Sequence, residues 1–175
     1  NLMYLCDPVI GNTNCFVKPE VLDFFKENLI ADIITPNQFE AETLSGISIT
    51  DKSDLKKVAE FFHSKGIKIV VITGASFEDS NSLYNFASDG ANSYILEVPQ
   101  YNFDKPVNGT GDLFSSTFLG TFLENHNLAL ALEKASAYLD SALKTTLSKE
   151  VQELQVLSVE YGGKAEMHLA KAVKY

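Results

Sequence analysis

The apolar positions of this chain alternate between short unbroken runs and longer stretches at helical spacing. Residues 2–6 form an apolar run that predicts a buried strand, broken by Asp7-Pro8 and by a loop through Gly11 to Asn14. Residues 19–29 predict a helix, with Pro19 in its first turn and Val21, Phe24, Phe25 and Leu29 on one face. A second short strand over 31–35 is stopped by Pro36. A short helix over 37–45 follows, ended by Gly46. Residues 53–65 place Leu55, Val58, Ala59 and Phe62 at helical spacing before Gly66. Residues 67–73 are an almost continuous β-branched run, suited to burial on both faces of a sheet. Two further strands, 82–88 and 92–98, flank Asp89-Gly90, a hairpin-turn signal. A loop over 99–108 leads to Gly109-Thr110-Gly111-Asp112 and a helix reaching about Asn125, with Phe114, Phe118 and Phe122 on its apolar face. A long helix over 128–147 and two weaker helical stretches near 150–158 and 164–173 complete the pattern. Strands alternating with helices predict an α/β fold, a largely parallel sheet with helices on both faces and one antiparallel hairpin.

Composition narrows the function classes. The 175 residues include 14 basic and 23 acidic ones, a net charge of −9, with 45% hydrophobic and 21% charged residues. That balance and length predict one globular domain over residues 1–175. An acidic chain with scattered lysines has no footprint for a nucleic-acid backbone. No apolar run approaches the ~20 residues of a membrane-spanning helix. No basic segment followed by an apolar core suggests secretion, so the expected location is the cytoplasm. Cys6 and Cys15 are too few for a disulfide scaffold and lack metal-site spacing; Cys6 reads as a small buried hydrophobe. His63, His126 and His168 lack triad partners and read as surface residues. The acidic stretch at Glu150 and Glu153 reads as a solvated helix face.

Four segments could carry chemistry. In Asn108-Gly109-Thr110-Gly111-Asp112, two glycines let the backbone approach a ligand, and the following helix start favours an anion. Asp112 in that first turn could take a proton from a hydroxyl attacking a phosphate, or could simply favour a helix start. The segment lacks the third glycine of a dinucleotide fingerprint, and no P-loop lysine is present. In Thr35-Pro36-Asn37-Gln38-Phe39-Glu40, Asn37 and Glu40 carry oxygen ligands suited to a hydrated magnesium ion, but their spacing favours a capping box. Asp7 ends an apolar strand, where a turn aspartate needs no ligand. Thr73-Gly74 ends the most buried strand, where a hydroxyl could touch a phosphate or tie down a turn. Three of the four follow strands and one begins a helix, so one sheet edge could gather them all.

Together, CDPVIG, ADIITPNQFEAETLSG, VVITG and VNGTGDLFSSTFLG resemble the pyridoxal kinase branch of the ribokinase-like superfamily, over residues 3 to about 158. Glu153-Leu154-Gln155-Val156 is similar to that branch's C-terminal segment. The resemblance implies a three-layer α/β/α fold with a mostly parallel central sheet. It also implies ATP-dependent phosphorylation of the 5′-hydroxymethyl group of pyridoxal, and often of pyridoxine and pyridoxamine. Asp112 matches the family's base, which also contacts the acceptor, and Gly109, Thr110 and Gly111 match its anion hole. Asp7, Thr35, Asn37, Glu40 and Thr73 match positions around ATP; Val98, Pro99, Gln100 and Tyr101 match a loop near the adenosine. Magnesium at Asp7 and Glu40, partly through water, a potassium ion and a homodimer are implied as well. Nothing in the chain matches the N-terminal strands that hold the vitamin ring, so it reads as the C-terminal portion of such a kinase. The portion alone is expected to bind nucleotide weakly, if at all, and not to phosphorylate pyridoxal. Hydroxymethylpyrimidine kinase, and a non-catalytic nucleotide-binding remnant that pairs with another chain, are the alternatives.

Overall fold

The computed structural model describes residues 2–77, 82–149, 151, 153–156 and 170–175. The elements run β1 (Leu5–Cys6), α1 (Pro19–Asn28), β2 (Ile33–Ile34), α2 (Gln38–Ser45), α3 (Lys52–Ser64), β3 (Ile69–Ala75), β4 (Leu83–Ser88), β5 (Ser93–Val98), α4 (Thr110–Asn125), α5 (Leu128–Ser148) and β6 (Val173–Lys174). The strands form one sheet in the order of the chain. Alternation along the strands divides the core in two. Ile34, Val70, Ile72 and Phe86 pack with Leu44 of α2 and Leu55, Val58 and Phe62 of α3, and Leu22, Phe25 and Leu29 of the α1 region lie against them. Ile33, Ile69, Val71 and Leu96 face Phe114 and Phe118 of α4 and Leu132 of α5. The result is three layers, α/β/α, as expected.

Local chemistry sets the helix ends. Asn37 caps α2 and Asp51 caps α3, each in a full capping box, while Asn127 caps α5. Glu40 and Asp54 are the reciprocal members of those boxes. On α1 the packed face is Leu22, Phe25 and Leu29. Val21 and Phe24, expected on that face, are 41% and 58% exposed, because the true stripe is turned by about one position.

Parallel pairing is confined to β1–β2 and β2–β3; β3–β4, β4–β5 and β5–β6 are antiparallel. The sheet is therefore more mixed than the expected parallel sheet with a single hairpin. The reason is length. A parallel crossover needs a dozen or more residues, and β3 ends at Ala75 only eight positions before β4 begins at Leu83. The C-terminal stretch also departs from expectation. Val173 lies in β6, where it pairs with Ile95, and Glu133 Oε1 accepts the Ala172 N–H at 2.8 Å. An open strand edge supplied more backbone partners there than an isolated helical turn could. Residues 151 and 153–156 are not α-helical; Glu153 bridges Asn108, and the Gln155 N–H donates to Thr146 Oγ1. The rest of both stretches, with Glu150 and His168, lies outside the described residues. His126 is exposed at the end of α4. His63 instead is half-buried: its ring nitrogens lie 2.8 Å from Ile67 O and 2.9 Å from Ser88 Oγ, joining α3 to β4.

Asp54 yields a pH prediction. Lys57 Nζ sits 2.7 Å from Oδ1, and Oδ2 accepts from the backbone N–H and hydroxyl of Thr50 and the Asp51 N–H. The lysine foremost, then Thr50, hold this carboxyl well below its ordinary value of 3.8. A carboxyl held low contributes stability that is complete above its unfolded value and is lost as pH falls through the folded one. The Tm gap between wild type and Asp54→Asn should therefore be widest above about pH 5 and close progressively toward pH 2. A gap independent of pH in thermal melts would show that Asp54 acts through packing alone.

Candidate active site

Asp7 and Thr35–Asn37 follow the C-terminal ends of β1 and β2, and Thr73–Gly74 lie near that end of β3, the sheet edge where open α/β folds hold ligands. Together with the start of α4 they line one cavity of about 890 Å³. It contains Asp7, Thr35, Asn37, Glu40, Thr73, Gly109, Thr110, Gly111 and Asp112. Val98, Pro99 and Tyr101 line it as well, whereas Gln100 is exposed and does not.

The start of α4 is open. Gly109 occupies the N-cap position with φ +85°, a conformation L side chains rarely adopt, and makes no side-chain cap hydrogen bond. The first amides of the helix thus carry partial positive charge with no side chain of the cap residue to satisfy them. Gly111 matters for a different reason. A Cβ there would lie 2.9 Å from Asp7 Oδ2, so glycine lets the helix start approach the carboxylate that follows β1 without pushing it aside.

Asp7 and Glu40 have opposite environments. Glu40 is 4% exposed, and both of its oxygens are occupied: Oε1 accepts from Ile10 N–H at 3.0 Å and Gly11 N–H at 3.4 Å, Oε2 from Asn37 N–H at 3.0 Å. Burial raises its pKa, opposed by those three amides. Asn37 acts on the same loop, donating from Nδ2 to Gly11 O at 2.8 Å and to Asn12 Oδ1 at 3.0 Å. The pair holds the loop after β1 in shape. Asp7 is half-buried and accepts one hydrogen bond, from Thr35 Oγ1 to Oδ1 at 3.2 Å. Its Oδ2 faces Gly111. Burial raises the Asp7 pKa, the Thr35 bond opposes this, and the nearby Asp112 charge adds to it.

Two buried links in the cavity wall carry no signal in the four segments. Ser115 Oγ lies 2.9 Å from Thr35 Oγ1. Since Thr35 donates to Asp7, Ser115 is the donor in that contact, so α4 is tied through β2 to the carboxylate of β1. Asn85, 4% exposed inside β4, accepts the Gly74 N–H at 2.9 Å and donates to Ser136 Oγ of α5 at 2.9 Å. It fills the gap where the β3–β4 register shifts between Ile72 and Ala75. A polar amide in the run Leu83-Tyr84-Asn85-Phe86-Ala87 was the available clue, since asparagine is disfavoured in strands. For Ser115 the clue is its place one helical turn after Gly111 and Asp112.

The cavity is acidic. Asp7, Glu40, Glu42, Asp112 and Asp140 line it, and no lysine, arginine or histidine does so among the described residues. A family model described as phosphomethylpyrimidine kinase matches residues 1–156. The chain belongs to the phosphomethylpyrimidine kinase family. Among its relatives in sequence, the pyridoxal kinase PdxY of Aliivibrio fischeri is 34% identical, over 99% of this chain and 63% of its own length. The pyridoxal kinase of Dictyostelium discoideum is 38% identical, over 83% of this chain and 52% of its own. The pyridoxal kinase of Leishmania donovani in complex with ADP and pyridoxine superposes with a TM-score of 0.83 at 28% identity, covering 98% of this chain and 61% of that one. The chain thus spans between about half and 63% of the length of these relatives. The fold is ribokinase-like, as in the pyridoxal kinase structures, and all four segments singled out in the sequence meet in the cavity described above.

Proposed function

We propose that this chain carries the nucleotide and phosphoryl-transfer half of a pyridoxal kinase, which phosphorylates the 5′-hydroxymethyl group of pyridoxal, pyridoxine or pyridoxamine with ATP. The observation that carries the reading is the meeting of an uncapped helix start, Asp112 and Asp7 in one cavity at the ends of parallel strands. The relatives named pyridoxal kinase support the acceptor, and the Leishmania donovani enzyme's ADP and pyridoxine support both ligands. Hydroxymethylpyrimidine as acceptor is the second reading, favoured by the description of the family model.

In the proposed mechanism, Thr110, Gly111 and Asp112 present backbone N–H groups to the γ-phosphoryl oxygens, where charge is concentrated during transfer. Asp112 accepts the proton of the acceptor hydroxyl as its oxygen bonds to phosphorus. The bond between that phosphorus and the β–γ bridging oxygen breaks, and ADP departs. Thr73, near the end of β3, and Val98, Pro99 and Tyr101, at the end of β5 and in the loop after it, are assigned to the rest of the nucleotide; Gln100, outside the cavity, is not.

The donor set fits magnesium carried on ATP. Five carboxylates and no basic side chain line the cavity among the described residues, so a bare polyphosphate would meet net repulsion. A divalent ion would neutralise that charge. Asp7 Oδ2 would hold it through water, whereas Glu40, with both oxygens on amides, would act by shaping the loop. Among the described residues no cluster of three or more His, Cys, Asp or Glu forms a cage, as suits an ion that keeps its waters. The potassium expectation attaches to no residue. A homodimer in the cytoplasm completes the proposal; no helix among the described residues is long and apolar enough to cross a membrane.

The test is an assay with magnesium and ATP against pyridoxal, pyridoxine, pyridoxamine and hydroxymethylpyrimidine in parallel, reading 5′-phosphate formation by absorbance and mass. Transfer to a pyridoxal-type acceptor is expected when the chain carries the N-terminal strands as well, and none from residues 1–175 alone. Transfer only to the pyrimidine would overturn the acceptor assignment and keep the phosphoryl-transfer half. Binding of a non-hydrolysable ATP analogue should weaken by about tenfold or more when magnesium is chelated, given the like charge around the phosphates; unchanged affinity would remove the metal from the reading.

A further inference from the structure

The cavity has a second end. Strand order places β1 and β5 four strands apart, about 19 Å, so a ligand with its phosphate at Gly111 would extend toward Val98. There the lining turns apolar, with Leu83, Val98, Pro99, Val107, Leu139 and Leu143. Residues of β4, β5 and α5 line this end. The loop over 99–108 lines it too and has no regular secondary structure apart from a bridge at Asn108.

Among the described residues, one side-chain hydrogen bond anchors that loop. Tyr101 Oη donates to Asp140 Oδ1 at 2.5 Å, and Asp140 Oδ2 accepts from Lys144 Nζ at 2.7 Å one turn along α5. The carboxylate is thereby fixed from both sides. Burial first, then the hydrogen bond to Asp140 and that group's charge, raise the Tyr101 pKa, so the phenol stays a donor throughout the neutral range. Both groups line the cavity.

We propose that the Tyr101–Asp140 hydrogen bond is a latch that closes the loop over 99–108 against α5 and sets the width of the slot receiving the base of the nucleotide. Tyr101 and Asp140 are then positioning residues for the nucleobase, with Lys144 fixing the acceptor. The inference rests on the nucleotide reading above and adds the device that shapes its far end. A loop tied at one charge-assisted bond is ordered before the ligand arrives, so less of the binding free energy is consumed in ordering it. Phosphate binding at the opposite end does not need the latch.

Two probes separate those ends: a non-hydrolysable ATP analogue, and inorganic tripolyphosphate, which has no base. With magnesium present, calorimetry should show the analogue's Kd rising about tenfold in Tyr101→Phe and in Asp140→Ala, the scale of one hydrogen bond to a charged group. The double variant should be no weaker than either single one. Asp140→Asn, which keeps an acceptor oxygen, should recover most of the affinity. Tripolyphosphate should bind all variants as it binds wild type. Wild-type affinity for the analogue in Tyr101→Phe would overturn the latch while leaving the nucleotide reading intact. Equal weakening of both probes would also overturn it, since that reports general damage to the fold. Wild-type protein that binds neither probe would overturn the nucleotide reading itself, and the latch with it.

Discussion

Replacing Asp112 by asparagine should reduce phosphoryl transfer by about 100-fold or more, the usual contribution of a general base, while nucleotide affinity stays near wild type. Asparagine preserves the shape of the first turn of α4 and leaves the backbone amides at 110–112 in place, but it cannot accept the acceptor's proton. It also removes a negative charge near Asp7, which by itself would favour an anion, so affinity has no reason to fall. The comparison, made in a protein that carries the N-terminal strands as well, is steady-state kcat against the Kd of a non-hydrolysable ATP analogue. A variant that turns over normally removes Asp112 from the role of base. One that loses both turnover and affinity shows that the carboxylate holds the helix start together.

The second large effect concerns stability. Glu40→Ala would leave the buried N–H groups of Ile10, Gly11 and Asn37 without their acceptor. Each stranded donor costs about 1–3 kcal/mol, so a loss of about 3 kcal/mol or more is expected, a fall in Tm of roughly 10 °C for a chain of this size. Asp7→Ala strands only the Thr35 hydroxyl, which can turn to another acceptor. It should lower Tm by a much smaller amount and instead raise the magnesium concentration needed for half-maximal turnover. Thermal melts and magnesium titrations on both variants decide the matter. If Glu40→Ala melts normally but needs more magnesium, its carboxylate is a ligand and the loop holds without it.

The contrast between those two acids shows what could be read from the chain and what could not. Asn37 and Glu40 three positions apart announced a capping box, and the box is there. The sequence could not show that the same carboxylate also reaches across 30 residues to Ile10, because that bond depends on how the loop after β1 packs. Gly109 and Gly111 were legible as a turn against a helix, yet the reason for Gly111, the Asp7 carboxylate beneath it, exists only once β1 and α4 are adjacent. The same limit explains Tyr101 and Asp140, 39 residues apart. Elements fared likewise. The β-branched run became β3 because burial on both faces selects such residues. Val173 joined a strand because the free edge of β5, invisible from local periodicity, offered it partners.

The Ser115–Thr35 contact joins residues 80 positions apart and connects a helix on one face of the sheet to the end of an inner strand. Because Thr35 also reaches Asp7, the cavity wall is a seam between two layers rather than a surface of either. A molecule seated there touches both, and separating the layers would require its release. Occupancy at one hundred times Kd would then add about 2.7 kcal/mol to the resistance of the whole fold. Heat denaturation, hydrogen exchange deep in β3 and proteolysis of loops far from the cavity should all slow together as ligand rises. Under the proposed function, the temperature at which the protein melts becomes a gauge of how much nucleotide surrounds it.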